Sequence, residues 1–279
     1  MTLKFKNGFG EFTLSGSGKE DASICEIEGL ELGTKQRNLN QYIGEDGVFE
    51  SSSQYIQRVI TISGDIKIND DYQKRVQSMA RILSDKCTLY IENKSINRKI
   101  TVNSATITFG KRNSAYQTYV IQLTCDYPHF EDVEETVIYI FRKEKLLSRE
   151  STLPCMLCQR ISEGEIINEG TLKIYPKIVI TKFDDNIAQS NIKIMNLSLG
   201  KELILNKSMV RGEEIVIDIK NRMITSSIEG NILKTLDLYS SLSDMWCDVG
   251  ENIIAVTVAG AQTGVDIKAY YHNEYPEAI

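Results

Sequence analysis

Hydrophobic and polar residues alternate most clearly over residues 58–92, where the pattern changes period twice. From Arg58 the large aliphatic residues recur at even spacings, and this period of two predicts a strand with one buried face. These aliphatic residues are Ile60, Ile62, Ile66 and Ile68. A helical period follows, and a second strand is predicted from Cys87 to Glu92. The stretch therefore predicts a strand, a helix and a strand that pack together.

The predicted helix begins near Asp70, which is positioned to cap it, and Gln73 three residues later completes a capping box. One stripe of this helix is apolar and consists of Tyr72, Val76, Met79, Ala80 and Leu83. The opposite stripe is polar and consists of Gln73, Lys74, Gln77 and Arg81. Burial of four large side chains at about 1.5–3 kcal/mol each outweighs a cap of ~1 kcal/mol. We therefore expect packing on a sheet to hold the helix in place.

Along the whole chain, the apolar pattern predicts a mainly β protein. Residues 1–145 are interpreted as an α+β domain with one helix on a β-sheet, residues 146–169 as a linker, and residues 170–279 as a second domain. Roughly seven or eight short strands separated by turn signals are predicted in the second domain. That pattern is typical of an antiparallel β-sandwich.

Residues 34–57 are rich in Gln, Asn, Ser and Gly, so the stretch is too long for a simple turn and too polar for a core. One interpretation is a mobile surface loop. The other is an arm that becomes ordered on a neighbouring subunit, because Tyr42, Phe49 and Tyr55 provide apolar anchors along a polar segment. The residues alone leave both interpretations open.

Composition narrows the class of protein. The 279 residues are 42% hydrophobic and 25% charged, which is typical of a globular protein, and no apolar run has the length of a membrane span. A net charge of -6 and a pI near 5.2 argue against a protein that grips nucleic acid over a broad surface. Six cysteines would suit three disulfides, but no signal peptide is recognised, so free thiols are favoured.

Candidate chemistry is sparse. Cys155 and Cys158 form the one CxxC motif, without the second ligand pair that zinc needs or the βαβ context of a redox motif. Paired acids and His129 have no nucleophile tied to them by sequence. A stacking platform for sugar is a candidate in the second domain, formed by Trp246, Tyr270, Tyr271 and His272. We expect no catalytic site, no metal and no cofactor, and a protein that binds and assembles.

The order of the motifs is informative. The segments RVITISGDI, YQKRVQSMARIL, CTLYI, RKITV and YVIQLTCDYPHFED together resemble the N-terminal domain of the phage distal tail protein family. The segments GTLKIYPKIVIT, NIKIMNLSLGKELIL, EEIVIDIKNRMI, DVGENIIAV and VDIKAYY resemble the C-terminal sandwich of that family. Each motif is short, but their order and spacing extend over almost the whole chain.

The resemblance implies a structural protein of the siphophage tail tip. Family members form a hexameric ring whose N-terminal domains join the tail tube to the hub, or tail-associated lysin-type, protein. Their galectin-like C-terminal domains form an outer platform for receptor-binding or baseplate proteins. The implied location is the virion tail tip after assembly in the bacterial cytoplasm, with DNA passing through the ring without specific binding and no membrane contact. A contractile-tail or tailocin baseplate component of the same build remains open.

A closed ring needs two different contact patches on each subunit. The candidate interface residues are Tyr42, Phe49, Tyr55 and Arg58. We also expect acidic rather than basic residues to face the DNA path, because Lys and Arg would bind phosphates. The alternative function is a carbohydrate-binding adhesin module, which predicts glycan affinity in the C-terminal half and no ring.

Overall fold

The computed structural model describes residues 1–16, 21–42, 46–94, 96–145, 158–183, 190–259 and 264–278. The chain forms two compact units. The first consists of Met1–Val133 together with Glu274–Ile279, and the second is Glu134–Asn273. The second unit is therefore an insertion in the first, and the chain returns to the first unit at its last residues.

The described residues contain one α-helix, α1 (Tyr72–Leu83), two short 3-10 turns (Leu233–Thr235 and Leu242–Asp244) and a series of β-strands. In chain order the strands are β1 (Thr2–Asn7), β2 (Gly10–Ser15), β3 (Ala22–Glu28), β4 (Lys35–Gln41), β5 (Val48–Tyr55), β6 (Arg58–Lys67), β7 (Cys87–Asn93), β8 (Ile96–Val102), β9 (Ser104–Arg112), β10 (Tyr116–Cys125), β11 (Phe130–Asp132), β12 (Thr136–Lys145), β13 (Cys158–Ile161), β14 (Glu163–Asn168), β15 (Lys177–Lys182), β16 (Ser190–Asn196), β17 (Lys201–Leu205), β18 (Glu214–Asp218), β19 (Met223–Ser226), β20 (Gly230–Asn231), β21 (Gly250–Ala259), β22 (Val265–Tyr271) and β23 (Glu274–Tyr275). The predicted mainly β class is confirmed.

The first unit is built on a ten-stranded sheet with the strand order β23-β11-β8-β7-β1-β2-β3-β6-β10-β9. Its neighbours pair antiparallel except for one short parallel contact between β2 and β3. The predicted strand at Arg58 is confirmed as β6, whose aliphatic residues Ile60, Ile62 and Ile66 are fully buried. Because β6 alternates strictly, one of its faces lies in the core and the other is open.

Helix α1 supplies one layer of the same core through Met79, Ile82 and Leu83. The predicted capping box is wrong: the N-cap position is held by Asp71, and no side-chain cap hydrogen bond forms. Ala80, which was assigned to the apolar stripe, is exposed, and Ile82 occupies the buried position instead. The helix therefore depends on packing rather than on its cap, as the energies of burial and capping predict.

The second unit is an antiparallel β-sandwich, which confirms the predicted architecture of the C-terminal part. Its larger sheet has the order β13-β12-β22-β15-β18-β19-β20, and its smaller sheet the order β14-β21-β16-β17. Buried aliphatic residues of both sheets form one core cluster, for example Ile180 and Ile267 from the larger sheet and Ile194 and Val256 from the smaller. Alternation along each strand turns these side chains inward.

Strands β12 and β23 do not lie in the domains that the ranges 1–145 and 170–279 assign to them. Strand β12 pairs with β22 in the second unit, and β23 pairs with β11 in the first. An alternating pattern identifies a strand, but it does not specify the partner of that strand when the partner is more than a hundred residues away. Strands β13 and β14 lie within the range 146–169 that was interpreted as a linker.

Four cysteines whose side chains the structure describes are free thiols. Cys25 is exposed, whereas Cys87, Cys125 and Cys247 are buried. Burial raises the pKa of Cys87 to about 11 and the pKa values of Cys125 and Cys247 to about 12, so these thiols react little. Cys155 lies outside the described residues, and only the backbone of Cys158 is described. No helix in the described ranges combines the length and the apolar character that crossing a membrane requires.

Candidate assembly interface

The polar stretch at residues 34–57 is not an irregular loop but contains a β-hairpin, formed by β4 and β5. The two strands pair antiparallel from Lys35↔Tyr55 to Gln41↔Val48 and form a sheet of their own. Every side chain of β4 is exposed, and on β5 only Tyr55 is partly buried. A two-stranded hairpin is marginally stable in water when nothing packs against it. This hairpin is therefore a segment with little support from the rest of the described chain.

The tip of the hairpin, which we define as residues Leu39, Tyr42, Val48 and Phe49, carries apolar side chains in water. Their exposed fractions are 49% for Leu39, 46% for Tyr42, 59% for Val48 and 42% for Phe49. The Tyr42 and Phe49 rings contact each other, with centroids 5.1 Å apart. Phe49 pairs with Asn40 and Val48 with Gln41, so alternation places Phe49 and Val48 on opposite faces. Both faces of the tip are therefore partly apolar.

Tyr55 lies at the other end of the hairpin and contacts its own chain. Its ring meets the His129 ring edge-on at 4.9 Å, and the Lys35 Nζ atom lies 4.6 Å from the ring centre. The Ile56 amide donates a hydrogen bond to the Thr34 carbonyl at 3.1 Å. The end at Tyr55, which we call the base of the hairpin, is thus fixed by packing and by the backbone.

Arg58 completes the base and is 5% exposed. Its Nε atom donates to the Pro128 carbonyl at 2.7 Å, and its Nη1 atom donates to the Gly29 and Glu31 carbonyls at 2.7 and 2.8 Å. Its Nη2 atom donates to the carbonyl of Pro276. Burial lowers the pKa of the guanidinium, although nearby acidic groups oppose this effect. One planar cation therefore joins three chain segments that are far apart in sequence.

The C-terminal segment is held at this base by further contacts. The Ala278 amide donates to the Leu30 carbonyl at 2.8 Å, and Ala278 is 1% exposed in the core of the first unit. The Arg98 guanidinium lies 3.7 Å from the centre of the Tyr275 ring. Because Arg58 and Leu30 both bind this segment, residues 274–278 are part of the first unit's structure.

The structure therefore separates the four predicted interface residues into two pairs. Tyr42 and Phe49 lie together on the exposed tip, whereas Tyr55 and Arg58 lie at the base and contact their own chain. Their participation in a subunit interface stays a prediction. Leu39 and Val48 were missed by the sequence reasoning. They are isolated aliphatic residues in a polar stretch, and that isolation is the signal that identifies them.

The predicted sugar platform is not formed as a shared surface. Tyr271 is buried at 7% exposure and its hydroxyl donates to the Ile167 carbonyl, whereas its neighbour Tyr270 lies on the opposite face of β22, where the Lys177 Nζ atom is 5.5 Å from its ring centre. His272 is hydrogen-bonded through Nδ1 to the Glu134 carbonyl at 2.9 Å. Adjacent residues of a strand face opposite ways, so Tyr270 and Tyr271 cannot stack on one ligand.

Metal chemistry has no candidate in the described part of the chain, where no group of three or more His, Cys, Asp or Glu side chains is placed to hold an ion. His129 lies between two tyrosine rings, at 4.9 Å from Tyr55 and 5.1 Å from Tyr127. Its position is that of a packing residue at the hairpin base.

Comparison with known proteins identifies relatives of this fold. Residues 169–275 match the family described as siphovirus-type tail component, C-terminal domain. The crystal structure of the Dit protein (gp 19.1) of phage SPP1, described as a paradigm of the hub adsorption apparatus in phages that infect Gram-positive bacteria, is similar over 90% of this chain and 92% of that chain, with a TM-score of 0.63 and 10% identity. No curated protein sequence matches the chain.

Two structures of the phage P2 baseplate in its activated conformation, with Ca and with Sr, also align with this chain. Each covers 96% of this chain and 97% of that chain, with a TM-score of 0.49 and 12% identity. The likeness to the SPP1 protein shows a common fold over most of the chain. The family match shows, in addition, a similarity of sequence over residues 169–275. Together they confirm the resemblance to the phage distal tail protein family. Residues 169–275 are thus similar in sequence to the C-terminal domain of siphovirus-type tail components.

Proposed function

We propose that this protein is a structural, non-catalytic component of a phage tail tip and that it assembles into a closed ring. The observation that carries the proposal is the family match of residues 169–275, supported by a fold shared with the SPP1 protein over 90% of the chain. That protein belongs, by its description, to a hub adsorption apparatus. A tail-tip part needs surfaces for assembly rather than a reactive site.

The hairpin β4–β5 is the assembly element in this proposal. Its tip exposes Leu39, Tyr42, Val48 and Phe49, and no described part of the chain covers them. Aromatic side chains on an exposed element gain most from burial against a partner. A closed ring is made from heterologous contacts, in which one patch of each copy binds a different patch of the next. The hairpin tip is the first of these patches.

The base of the hairpin fixes the position from which the tip extends. Arg58 and Tyr55 join the base to the core of the first unit, so the direction in which the hairpin leaves is set before assembly. Because the base is already rigid, only the rest of the hairpin loses conformational entropy when it docks on a partner. In this proposal Tyr42 and Phe49 contact the neighbouring copy, and Tyr55 and Arg58 act indirectly by holding the hairpin.

The remaining assignments follow from the distal tail protein family. The ring is hexameric, its first unit connects the tail tube to the hub protein, and the second unit carries receptor-binding or baseplate proteins. DNA passes through the ring without specific binding, and the ring belongs to the virion tail tip after assembly in the host cytoplasm. The expected ranges 1–145 and 170–279 are thereby refined: the first unit, Met1–Val133 with Glu274–Ile279, corresponds to an inner belt, and the second unit, Glu134–Asn273, which takes up the range 146–169, corresponds to an outer domain.

Light scattering and negative-stain electron microscopy of the purified protein test this proposal. We expect six-fold rings with six times the chain mass of 31.6 kDa. Phe49→Asp places a charge on the tip and should shift the protein to single chains. Met223→Asp is the matched control, because Met223 is 46% exposed, close to the 42% of Phe49, but lies in the second unit.

Single chains of the wild-type protein at every concentration would overturn the proposed ring. A ring that forms equally well with Phe49→Asp would remove the hairpin from the assembly. Binding of a glycan array by wild-type single chains would instead favour the adhesin alternative.

A further inference from the structure

Two aromatic residues of the second unit, Tyr175 and Trp246, lie opposite each other on neighbouring segments. Between these segments Ile174 and Cys247 form an isolated antiparallel bridge. The Ile174 amide donates to the Cys247 carbonyl at 2.9 Å, and the Cys247 amide donates to the Ile174 carbonyl at 2.8 Å. In an antiparallel pair, the residue after one partner lies opposite the residue before the other. Tyr175 is therefore placed opposite Trp246.

The bridge turns both rings towards the surface. Ile174 and Cys247 are 1% and 0% exposed and belong to the core of the second unit, so the residues on either side of them point away from the core. Tyr175 and Trp246 are accordingly partly exposed. The buried Asn196 side chain donates through Nδ2 to the Trp246 carbonyl at 2.9 Å. The backbone that carries Trp246 is thus fixed on both sides.

Lys173 shares the outward side with the two rings. Its Nζ atom lies 5.6 Å from the centre of the Tyr175 ring and 5.1 Å from the centre of the Trp246 ring. An ammonium group within about 6 Å of an aromatic face is attracted to that face. The side chain of Lys173 is exposed, but the two rings restrict where its ammonium lies. A ligand that pairs with Lys173 therefore orders less of this flexible side chain when it binds.

Asp248 places a hydrogen-bond acceptor beside these residues. It lies opposite Lys173 across the same bridge and is exposed. Its Oδ1 atom accepts the Val249 amide at 2.9 Å, and a carboxylate can accept several further hydrogen bonds. One small area of the surface thus presents two aromatic faces, a positioned cation and a carboxylate.

This combination fits a sugar that carries a negative charge. The C–H groups of a pyranose form an apolar face that packs on an aromatic ring, and its hydroxyl groups donate hydrogen bonds to a carboxylate. A carboxylate or phosphate substituent on the sugar pairs with an ammonium group. Nucleic-acid bases also stack on aromatic rings, but Asp248 and the net charge of -6 disfavour a chain of phosphates.

We propose that Lys173, Tyr175 and Trp246 form a binding site for an acidic sugar. The sugar ring packs on the two aromatic side chains, and its anionic group pairs with Lys173. The site shares only Trp246 with the sugar platform that the sequence predicted. The inference goes beyond the proposed function and does not require a ring.

The fluorescence of Trp246 tests the inference directly, because Trp246 is the one tryptophan of the chain. We expect a saturable change in its emission when the whole chain is titrated with galacturonate, glucuronate or glucose-6-phosphate. The two sugar acids and the sugar phosphate distinguish a carboxylate from a phosphate as the anionic group. Galactose and glucose are the matched neutral sugars. They should bind about ten-fold more weakly, because they make no charge-assisted hydrogen bond to Lys173.

Three variants separate the contributions of the side chains. Lys173→Gln should remove the difference in affinity between each anionic sugar and its neutral partner. Tyr175→Leu should weaken the binding of anionic and neutral sugars alike. Lys177→Gln is the matched control, because the Lys177 Nζ atom also lies near a tyrosine ring of the second unit, 5.5 Å from the centre of Tyr270. It should bind sugars as the wild type does.

Absence of a saturable change with every sugar acid and sugar phosphate would overturn the inference and leave the proposed ring in place. Equal affinities for anionic and neutral sugars would also overturn it, because Lys173 would then take no part in binding. Tighter binding of AMP than of any sugar would overturn it in favour of a nucleotide site. Binding of the acidic sugars by wild-type protein that forms no ring would support the inference and reject the proposed ring.

Discussion

The base and the tip are opposite ends of the hairpin β4–β5, with the base extending to Arg58 at the start of β6, and they differ in what their side chains contact. At the base, Arg58 donates to four backbone carbonyls and Tyr55 packs on His129. At the tip, Tyr42 and Phe49 contact each other and are otherwise exposed. The base satisfies its polar groups within one chain, whereas the tip leaves apolar area in water. This difference indicates that the base stabilises the fold of the single chain, whereas the tip is suited to association with another chain.

The largest expected effect on stability is at Arg58. Replacement by Met leaves four backbone carbonyls without this donor, those of Pro128 and Pro276 in buried hydrogen bonds, and we expect a loss of about 3–5 kcal/mol in the free energy of unfolding of the first unit. Trp246 is the one tryptophan and lies in the second unit, so it does not report on this transition. Unfolding of the first unit can instead be followed by the reactivity of the buried Cys87 and Cys125 thiols at increasing urea concentration.

Arg37→Met is the matched control, since Arg37 lies on the same hairpin and forms an exposed ion pair with Glu50 at 2.6 Å. Exposed pairs contribute about 0–1 kcal/mol. Equal losses from Arg58→Met and Arg37→Met would contradict the distinction between base and tip.

A somewhat smaller effect is expected from Ala278→Asp, which places a carboxylate in the core next to the base. Ala278 is 1% exposed, and burial of an uncompensated polar group costs about 2–4 kcal/mol after partial relaxation. The same thiol-reactivity measurement checks this. Glu277→Ala, one residue earlier, should cost less than ~1 kcal/mol; a comparable loss from both would mean that the segment 274–278 is not integral to the first unit.

Tyr55→Leu should have a moderate effect, about 1 kcal/mol, because it removes the edge-on contact with His129 and the contact with Lys35 but keeps apolar volume. The change should also loosen the base and so weaken ring assembly several-fold, measured by light scattering against protein concentration. An unchanged dissociation constant for the ring would show that the base does not orient the tip.

The smallest effect on stability is expected at the tip. Phe49→Ser should change the free energy of unfolding of the single chain by less than about 0.5 kcal/mol, because its side chain is already 42% exposed. It should nevertheless abolish rings. A large loss of stability in single chains would mean that the tip contributes to the fold and not mainly to association.

Periodicity predicted much of the fold, because β6 and the helix stripe bury one face each. The hairpin was not predicted, since its strands are polar on both faces and are joined by pairs such as Asn38–Ser52 and Arg37–Glu50, which give no alternating pattern. The aromatic anchors Tyr42 and Phe49 could be recognised as apolar residues in polar surroundings. Whether they face a partner depends on contacts beyond one chain.

The contacts of Arg58 could not be predicted from sequence. Its acceptors are backbone carbonyls of Gly29, Glu31, Pro128 and Pro276, and backbone atoms carry no residue-specific signal. The error at Tyr270 and Tyr271 was avoidable, because neighbouring residues of a strand always face opposite ways.

Hydrogen exchange of the hairpin amides tests the assembly account most directly. In dilute single chains the amides of residues 36–41 and 48–54 should exchange rapidly, since an unsupported two-stranded hairpin opens at little cost. In the ring the same amides should be strongly protected, while those of β6 change little. Equal exchange of residues 36–41 and 48–54 in single chains and rings would contradict the claim that the hairpin tip joins the subunits.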